Sequence, residues 1–242
     1  MSINLILENL IMSPIESSLG NDIVNLSTAR AKSKYLDQRF VKRVFTKSEQ
    51  NIIELVTSPK HKSNIMWAIW AAKEASFKAC QKKNPELIFS HSKFDITFDI
   101  DVAVIKFNNY NKPITGFVSY KNKTVAIKWQ FDKYTVHAVA VLLSNNKIFT
   151  AWDKIQYSIF AIDSEDHIKE SCSTRWHATQ FLISCGLDQQ IEIIRPNIIV
   201  NNATRHGPPI VCIKDHRLTT IDISLSHDHG WGAVAFADQD QL

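Results

Sequence analysis

The stretch NIMWAIWAAKEASFKACQ, residues 64–81, decides the fold. Aliphatic residues, aromatic residues and alanine fill it on nearly every side, which predicts a long helix buried against the rest of the protein. We expect Ser63 to cap the start of this helix and Asn84-Pro85 to stop it. The apolar run ends at Lys73 and Glu74, far short of the ~20 residues that a membrane-spanning helix needs.

The patterns on both sides of this helix predict an α+β fold of two similar halves. Alternating apolar residues predict strands between residues 93 and 143, and a second helix over about 164–185 precedes more short strands. The polar run at residues 144–147 marks the boundary. We therefore predict domains at residues 1–146 and 147–242, related by a pseudo-twofold axis. Each would consist of a long helix packed on an antiparallel sheet.

Local signals support this organisation. Thr46 and Glu49 have the spacing of a capping box, and Gly186 suits the end of the second helix. Residues 109–113 have the composition of a turn. The triplet Ser90-His91-Ser92 lies between a helix stop and the strand that begins near Phe94, so we interpret it as a loop.

Composition limits the function classes. The chain has 242 residues, 45% hydrophobic, with 28 Lys and Arg against 24 Asp and Glu, a net charge of +4. This mild excess suits an anionic ligand or acidic partner, and without a long basic run it does not indicate nucleic-acid binding. Four separate cysteines with no CxxC pair, and no basic segment before the N-terminal apolar stretch, predict a cytoplasmic protein.

Glu74 and Lys78 are the first candidate site residues. They are four apart on the predicted helix and therefore share a face. One interpretation is an ordinary ion pair on the surface, worth ~0.2–0.5 kcal/mol. The other is that Glu74 binds a metal ion and Lys78 a phosphate oxygen, because an apolar helix carries inward charges only when they are paired or coordinated.

Two further segments carry candidate residues. In Gly20-Asn21-Asp22-Ile23-Val24 a lone acid enters an apolar strand, which by itself is typical of turn chemistry. The strand Asp222–His227 ends in Ser226 and His227, and a histidine of this kind is most often a hydrogen-bonded structural residue. No cysteine or acid stands at zinc-like spacing around His227 and His229, and no glycine-rich phosphate loop is present.

Taken together, these segments resemble a known family. Gly-x-Asp-Ile-Val at 20–24, Arg-Phe-x-x-Arg-Val-Phe-Thr at 39–46 and Trp-x-x-Lys-Glu-Ala-x-x-Lys-Ala at 70–79 resemble the 4′-phosphopantetheinyl transferase superfamily. The second motif is especially similar to that of bacterial holo-acyl-carrier-protein synthases. The turn at 207–209 and Ser-Leu-Ser-His at 224–227 resemble the Gly-x-Pro and Ser-His elements of the family.

The resemblance implies a reaction and its participants. Such enzymes move the 4′-phosphopantetheine arm of coenzyme A to a serine of an acyl or peptidyl carrier protein, an acidic partner, and release adenosine 3′,5′-bisphosphate. They serve pathways such as fatty acid or polyketide biosynthesis.

Family likeness also implies the residue roles. Asp22 and Glu74 would hold Mg²⁺, or Mn²⁺ in its place, and Glu74 would take the serine proton directly or through a water. Lys78 would act on the diphosphate, and Lys73 would also contact coenzyme A. The nucleotide end would meet four residues: Gly207, Pro209, Ser226 and His227.

Two features depart from the family pattern. Surfactin-type members carry a second acid two residues after the aspartate, where this chain has Val24, so we expect a water there. In those members the Ser-His element precedes the acids, whereas here it follows them, as in the small trimeric synthases of about half this length. We therefore expect a monomer whose site lies between its two halves. The alternative is an inactive carrier-binding or scaffold protein of the same fold.

Overall fold

A computed structural model describes residues 18–99, 114–143, 152–164 and 166–239. The N-terminal apolar stretch, the turn predicted at 109–113 and the domain boundary at 144–147 lie outside the described residues. In chain order the helices and strands are β1 (Ser18–Asn25), α1 (Ala29–Ser33), α2 (Gln38–Val44), α3 (Lys47–Leu55), α4 (Pro59–Lys83), β2 (Asp95–Phe98), β3 (Ile114–Tyr120), β4 (Lys123–Phe131), β5 (Thr135–Leu142), β6 (Gln156–Ala161), α5 (His167–Ser184), β7 (Ile191–Ile194), β8 (Asn197–Val200), β9 (Ala203–His206), β10 (Ile210–Ile213), β11 (His216–Arg217), β12 (Ile221–Asp228) and β13 (Trp231–Asp238).

The long predicted helix is α4, and it begins earlier than expected. Ser58, not Ser63, is its N-cap, and Pro59 occupies the first turn, where its missing N–H costs nothing. Ser63 lies inside the helix, where its hydroxyl donates to the carbonyl of Ala31 at 2.6 Å. The predicted end is confirmed, because α4 stops at Lys83 with Asn84 as its C-cap.

The first core lies between α4 and a five-stranded antiparallel sheet of order β1-β5-β4-β3-β2. Most apolar side chains of α4 from Ile65 to Ala79 are almost completely buried in it, and Trp70 and Phe77 are partly buried against it. The indole N–H of Trp129 on β4 donates to the carbonyl of Ala68 on α4 at 2.9 Å, so this large side chain is buried without losing its polar partner. The capping box of Thr46 and Glu49 is confirmed at the start of α3.

The second core packs α5 against short antiparallel sheets. Their orders are β12-β13-β6 and β11-β10-β7, and β8 pairs only with β9 among the described strands. Helix α5 begins after its N-cap Asp166, and Gly186 follows its end with φ of +100°, as predicted. A two-residue turn joins β12 to β13 with φ of 42° at His229 and 82° at Gly230, a conformation that favours glycine.

The two sheet systems meet along β1. Its odd-numbered residue Leu19 packs with Val139, Val141 and Ala235 in a third apolar cluster that joins β1 and β5 to β13. The α+β class with antiparallel sheets is confirmed, and each long helix covers a sheet. No helix in the described part of the chain has the length and apolar character to span a bilayer.

Candidate active site

Strand β1 places its even-numbered residues against α4. The hydroxyl of Ser18 donates to the carbonyl of Ala79 at 2.7 Å, and Gly20 contacts the α4 backbone so closely that a methyl group would overlap the carbonyl oxygen of Ala75. Asp22 continues this face and meets Lys78, because successive even residues of a strand point to one side. The glycine therefore lets the strand that carries Asp22 lie directly on the helix that carries Glu74 and Lys78.

A row of side chains on β12 forms the other wall of the site. Strand β1 is at the edge of its sheet, and its outward amides need acceptors. Alternate residues of β12 supply them: Asp222 accepts from Leu19 N at 2.7 Å, Ser224 from Asn21 N at 2.9 Å, and Asp228 from Asn25 N at 2.8 Å. Ser226 belongs to the same row, but its buried hydroxyl has no hydrogen-bond partner among the described residues.

The first of two clefts at this seam is acidic. It has a volume of about 200 Å³, and Asp22, Glu74 and Asp228 line it. Burial raises the pKa of Asp22 from its ordinary 3.8 to about 7; Lys78 lowers that pKa, whereas the charges of Glu74 and Asp228 raise it further. No sequence motif marks Asp228 as a site residue, although it directly follows the Ser-His pair in an alternating strand.

Lys78 pairs with Asp22 rather than with Glu74. Its ammonium donates to Asp22 Oδ1 and to the carbonyl of Asn21, both at 2.9 Å. The simple ion pair between Glu74 and Lys78 is not formed. Glu74 Oε1 instead lies 3.6 Å from Nε2 of His91. Both residues of the α4 motif therefore face the site, Glu74 in the acidic cleft and Lys78 in a second cleft described below.

The second cleft is basic and has a volume of about 250 Å³. Lys78 of α4 lines it, and none of the described residues that line it carries a carboxylate. Its lining includes Lys82, whose ammonium is paired with Asp222, and three further basic side chains, together with predicted residues of the nucleotide end: His167, Arg175, Arg195, Pro209, Ser226 and His227. Such a set of donors suits phosphate groups.

Gly207 shapes this cleft rather than lining it. Its N–H donates to the carbonyl of Pro196 at 2.7 Å, and its own carbonyl accepts from Arg195 Nε at 3.1 Å. A side chain here would press on Ile198 and on the Pro196 carbonyl, each 3.1 Å from the position of a Cβ. The turn that follows brings Pro208 and Pro209 to the cleft wall.

His227 lines both clefts and connects them. Its Nδ1 lies 3.3 Å from Oε2 of Glu170, a buried residue in the first turns of α5. The structure thus brings together Asp22, Glu74, Lys78 and His227 from three separate elements.

Comparison with known families decides the identity. The model of the 4′-phosphopantetheinyl transferase superfamily matches residues 18–141, just over half of the chain. The chain belongs to this superfamily. The resemblance predicted from the motifs at 20–24, 39–46 and 70–79 is thereby confirmed. None of the curated proteins compared with the chain matches it.

Membership in the phosphopantetheinyl transferase superfamily implies a transferase that acts on carrier proteins with coenzyme A. The matched residues include Asp22, Glu74 and Lys78 and run nearly to the end of β5. They do not reach Ser226 or His227, and the match assigns no role to any residue, so the roles of all five remain predictions.

Lys73 does not join the other predicted site residues of the transferase. Its side chain is 0% exposed and forms an ion pair with Glu49 at 2.7 Å. Its ammonium also donates to the carbonyls of His91 at 2.9 Å and Phe94 at 2.6 Å. All its donors are used in the core on the other side of α4, so the predicted contact of Lys73 with coenzyme A has no support in this arrangement.

Sequence reasoning also missed His91. We interpreted it as part of a loop, and it lies in a short 3₁₀ turn over His91–Lys93. Its ring packs against Trp70 at an angle of 33°, with centroids 4.3 Å apart, and its Nε2 lies 3.6 Å from Glu74. The hydrogen bond from Lys73 to the carbonyl of His91 holds this turn, so the buried lysine helps to position the ring beside Glu74.

The acidic cleft fits a hard divalent cation. Lys78 engages one oxygen of Asp22, and the other oxygen has no hydrogen-bond partner among the described residues; Oε2 of Glu74 is likewise without one. Mg²⁺ is bound by one or two carboxylates, with water and substrate phosphates completing its octahedron. The described residues contain no group of three His, Cys, Asp or Glu side chains that could hold a metal ion.

Proposed function

We propose that the protein is a 4′-phosphopantetheinyl transferase of the holo-acyl-carrier-protein synthase type. The serine oxygen of an apo acyl or peptidyl carrier would attack the phosphorus that bears the pantetheine arm of coenzyme A. The bond from that phosphorus to the adenosine-side phosphate oxygen would break, and adenosine 3′,5′-bisphosphate would leave. The observation that carries this proposal is the junction of an acidic cleft with a basic cleft at His227.

Asp22 and Glu74 would hold Mg²⁺, or Mn²⁺, in the acidic cleft. When bound, this cation neutralises charge on the diphosphate and increases the electrophilicity of its phosphorus. Glu74 would accept the serine proton, directly or through a water. Lys78, 29% exposed beside Asp22, would contact the diphosphate and balance the charge that develops on the leaving phosphate.

The basic cleft would bind the nucleotide end of coenzyme A. The unpartnered hydroxyl of Ser226 is buried at its wall, and a phosphate or sugar group would satisfy it. His227 and the turn at Gly207 and Pro209 would complete this part of the site.

We further propose that the site lies between two halves of one chain, residues 1–146 and 147–242, and that the protein works as a monomer. The contacts of β1 with β12 support this division, because Asp22 and Glu74 come from the first range, and Ser226 and His227 come from the second. An acidic carrier protein would suit the positive net charge of the chain.

The test is incubation of the protein with coenzyme A, Mg²⁺ and a panel of apo carriers, read by intact mass. The expected result is a carrier whose mass increases by one phosphopantetheine group, with loss of the reaction in EDTA and recovery with Mg²⁺ or Mn²⁺. Carrier binding without transfer would instead support an inactive carrier-binding protein. Activity restored by Zn²⁺ alone would contradict the choice of a hard cation.

A further inference from the structure

Glu170 has two fixed contacts at the junction of the clefts. Its side chain is 5% exposed. Oε1 accepts from the N–H of Gly230 in the β12–β13 turn at 2.6 Å, and Oε2 lies 3.3 Å from Nδ1 of His227. Both oxygens are therefore committed to β12 and its turn, although Glu170 lies on α5, 57 residues earlier in the chain than His227.

This contact decides which nitrogen of His227 carries the proton. An ionised carboxylate can only accept hydrogen bonds, so the Nδ1 that faces it must be the N–H. A neutral His227 then has a lone pair on Nε2, and no described residue forms a hydrogen bond with that nitrogen. Phosphate oxygens also only accept, so this neutral form cannot donate to a phosphate in the adjoining basic cleft.

Several charges surround His227. Burial lowers the pKa of His227, and His167 lowers it further; Glu170 opposes them, and Lys78 lowers it slightly. The other titratable and charged groups that face the two adjoining clefts are Asp22, Arg30, Glu74, Lys82, Arg175, Arg195, Asp228 and His229. The net effect is a pKa of His227 below its ordinary value, which favours the neutral ring in the free protein.

We propose that Glu170 is a positioning residue that fixes His227 with its proton on Nδ1, so that coenzyme A binding is coupled to uptake of one proton at Nε2. The proposal rests on the proposed function, since it assumes that coenzyme A occupies the basic cleft. The proton taken up would let Nε2 donate to a phosphate oxygen while Nδ1 continues to donate to Glu170. Such coupling makes affinity for coenzyme A decrease as pH rises, because the bound state holds one more proton than the free state.

Glu170→Gln is the variant that separates this role from mere structural support. The amide oxygen can still accept from Gly230, and its NH₂ group then faces Nδ1 of His227 and donates to it. The neutral ring is forced into the other tautomer, with its proton on Nε2, ready to donate to phosphate. The variant should therefore bind coenzyme A without the linked proton.

Titration calorimetry with coenzyme A, in buffers of different ionisation enthalpy, measures this proton. The wild-type protein should take up close to one more proton per site than Glu170→Gln, and its Kd should increase by up to about tenfold per pH unit between the pKa values of the free and bound ring. The matched control is Asp166→Asn, which removes the exposed carboxylate of the α5 N-cap, keeps a capping side chain and should leave proton uptake unchanged. Equal proton uptake in wild type and Glu170→Gln would overturn the proposal.

Nitrogen NMR of His227 in the free wild-type protein provides a second measurement that needs no variant and no activity. We expect a protonated Nδ1 and an unprotonated Nε2 near neutral pH; the opposite tautomer would overturn the proposal even if Glu170→Gln failed to fold. Absence of any coenzyme A binding by the wild-type protein would refute the proposed function. The nitrogen chemical shifts would still show whether Glu170 fixes the proton of His227 on Nδ1.

Discussion

Lys73→Met distinguishes a structural lysine from a ligand-binding one. The ion pair of Lys73 with Glu49 is 2.7 Å long and both side chains are 0% exposed, so solvent does not screen it. Removing one partner leaves a buried carboxylate uncompensated, which costs about 3–5 kcal/mol. This is a large fraction of the ~5–15 kcal/mol that stabilises a typical protein. We therefore expect the urea midpoint to decrease by roughly 1–2.5 M for an m-value of about 2–3 kcal/mol/M.

The assay is urea unfolding followed by circular dichroism, with coenzyme A affinity measured on the folded protein. Lys60→Met, on an exposed position of the same helix, is the control and should change the free energy of unfolding by less than about 0.5 kcal/mol. Adding Glu49→Gln to Lys73→Met should recover part of the loss, because it removes the uncompensated charge. Unchanged stability together with a tenfold weaker affinity for coenzyme A would refute this reasoning and restore Lys73 to the ligand site.

Three other perturbations address the site itself. Gly20→Ala should destabilise the protein by about 3 kcal/mol or more, because the methyl group would meet backbone atoms of Ala75 and Ala79 that cannot move aside; normal thermal stability of this variant would contradict the close packing of β1 on α4. Burial raises the pKa of Asp22 to about 7 from 3.8, so the folded state binds this proton more tightly than the unfolded chain does. The free energy of unfolding of the metal-free protein should therefore decrease as pH rises from about 4 to about 7, and Asp22→Asn should lose this slope in urea titrations at a series of pH values. Glu74→Gln should slow transfer to an apo carrier by on the order of 10²-fold or more without unfolding the protein, whereas the matched Glu54→Gln on the exposed face of α3 should not; wild-type rates with Glu74→Gln would exclude its role at the reacting centre.

Local sequence patterns correctly predicted several helix caps and helix faces, because these depend on residues close together in the chain. The spacing of Thr46 and Glu49 predicted a capping box, and Gly186 predicted a helix end, because caps involve atoms only a few residues apart. The spacing of Glu74 and Lys78 likewise placed both on one face of α4. The predicted start of α4 at Ser63 was wrong. Two serines precede the apolar run, and the helix begins after Ser58, the one that is followed by a proline suited to the first turn.

The tertiary structure decided which charges belong to the site. Lys73 and Lys78 occur in one motif, but five residues of helix turn them to different sides, and only the packing of α4 determines which side is core. Asp228 and Glu170 join the site through contacts with Asn25 and His227 that are 203 and 57 residues apart in sequence. Such contacts arise because the unpaired edge of β1 must find acceptors and a buried carboxylate must find donors. Neither requirement leaves a local pattern, so the chain had to be folded before these residues could be assigned.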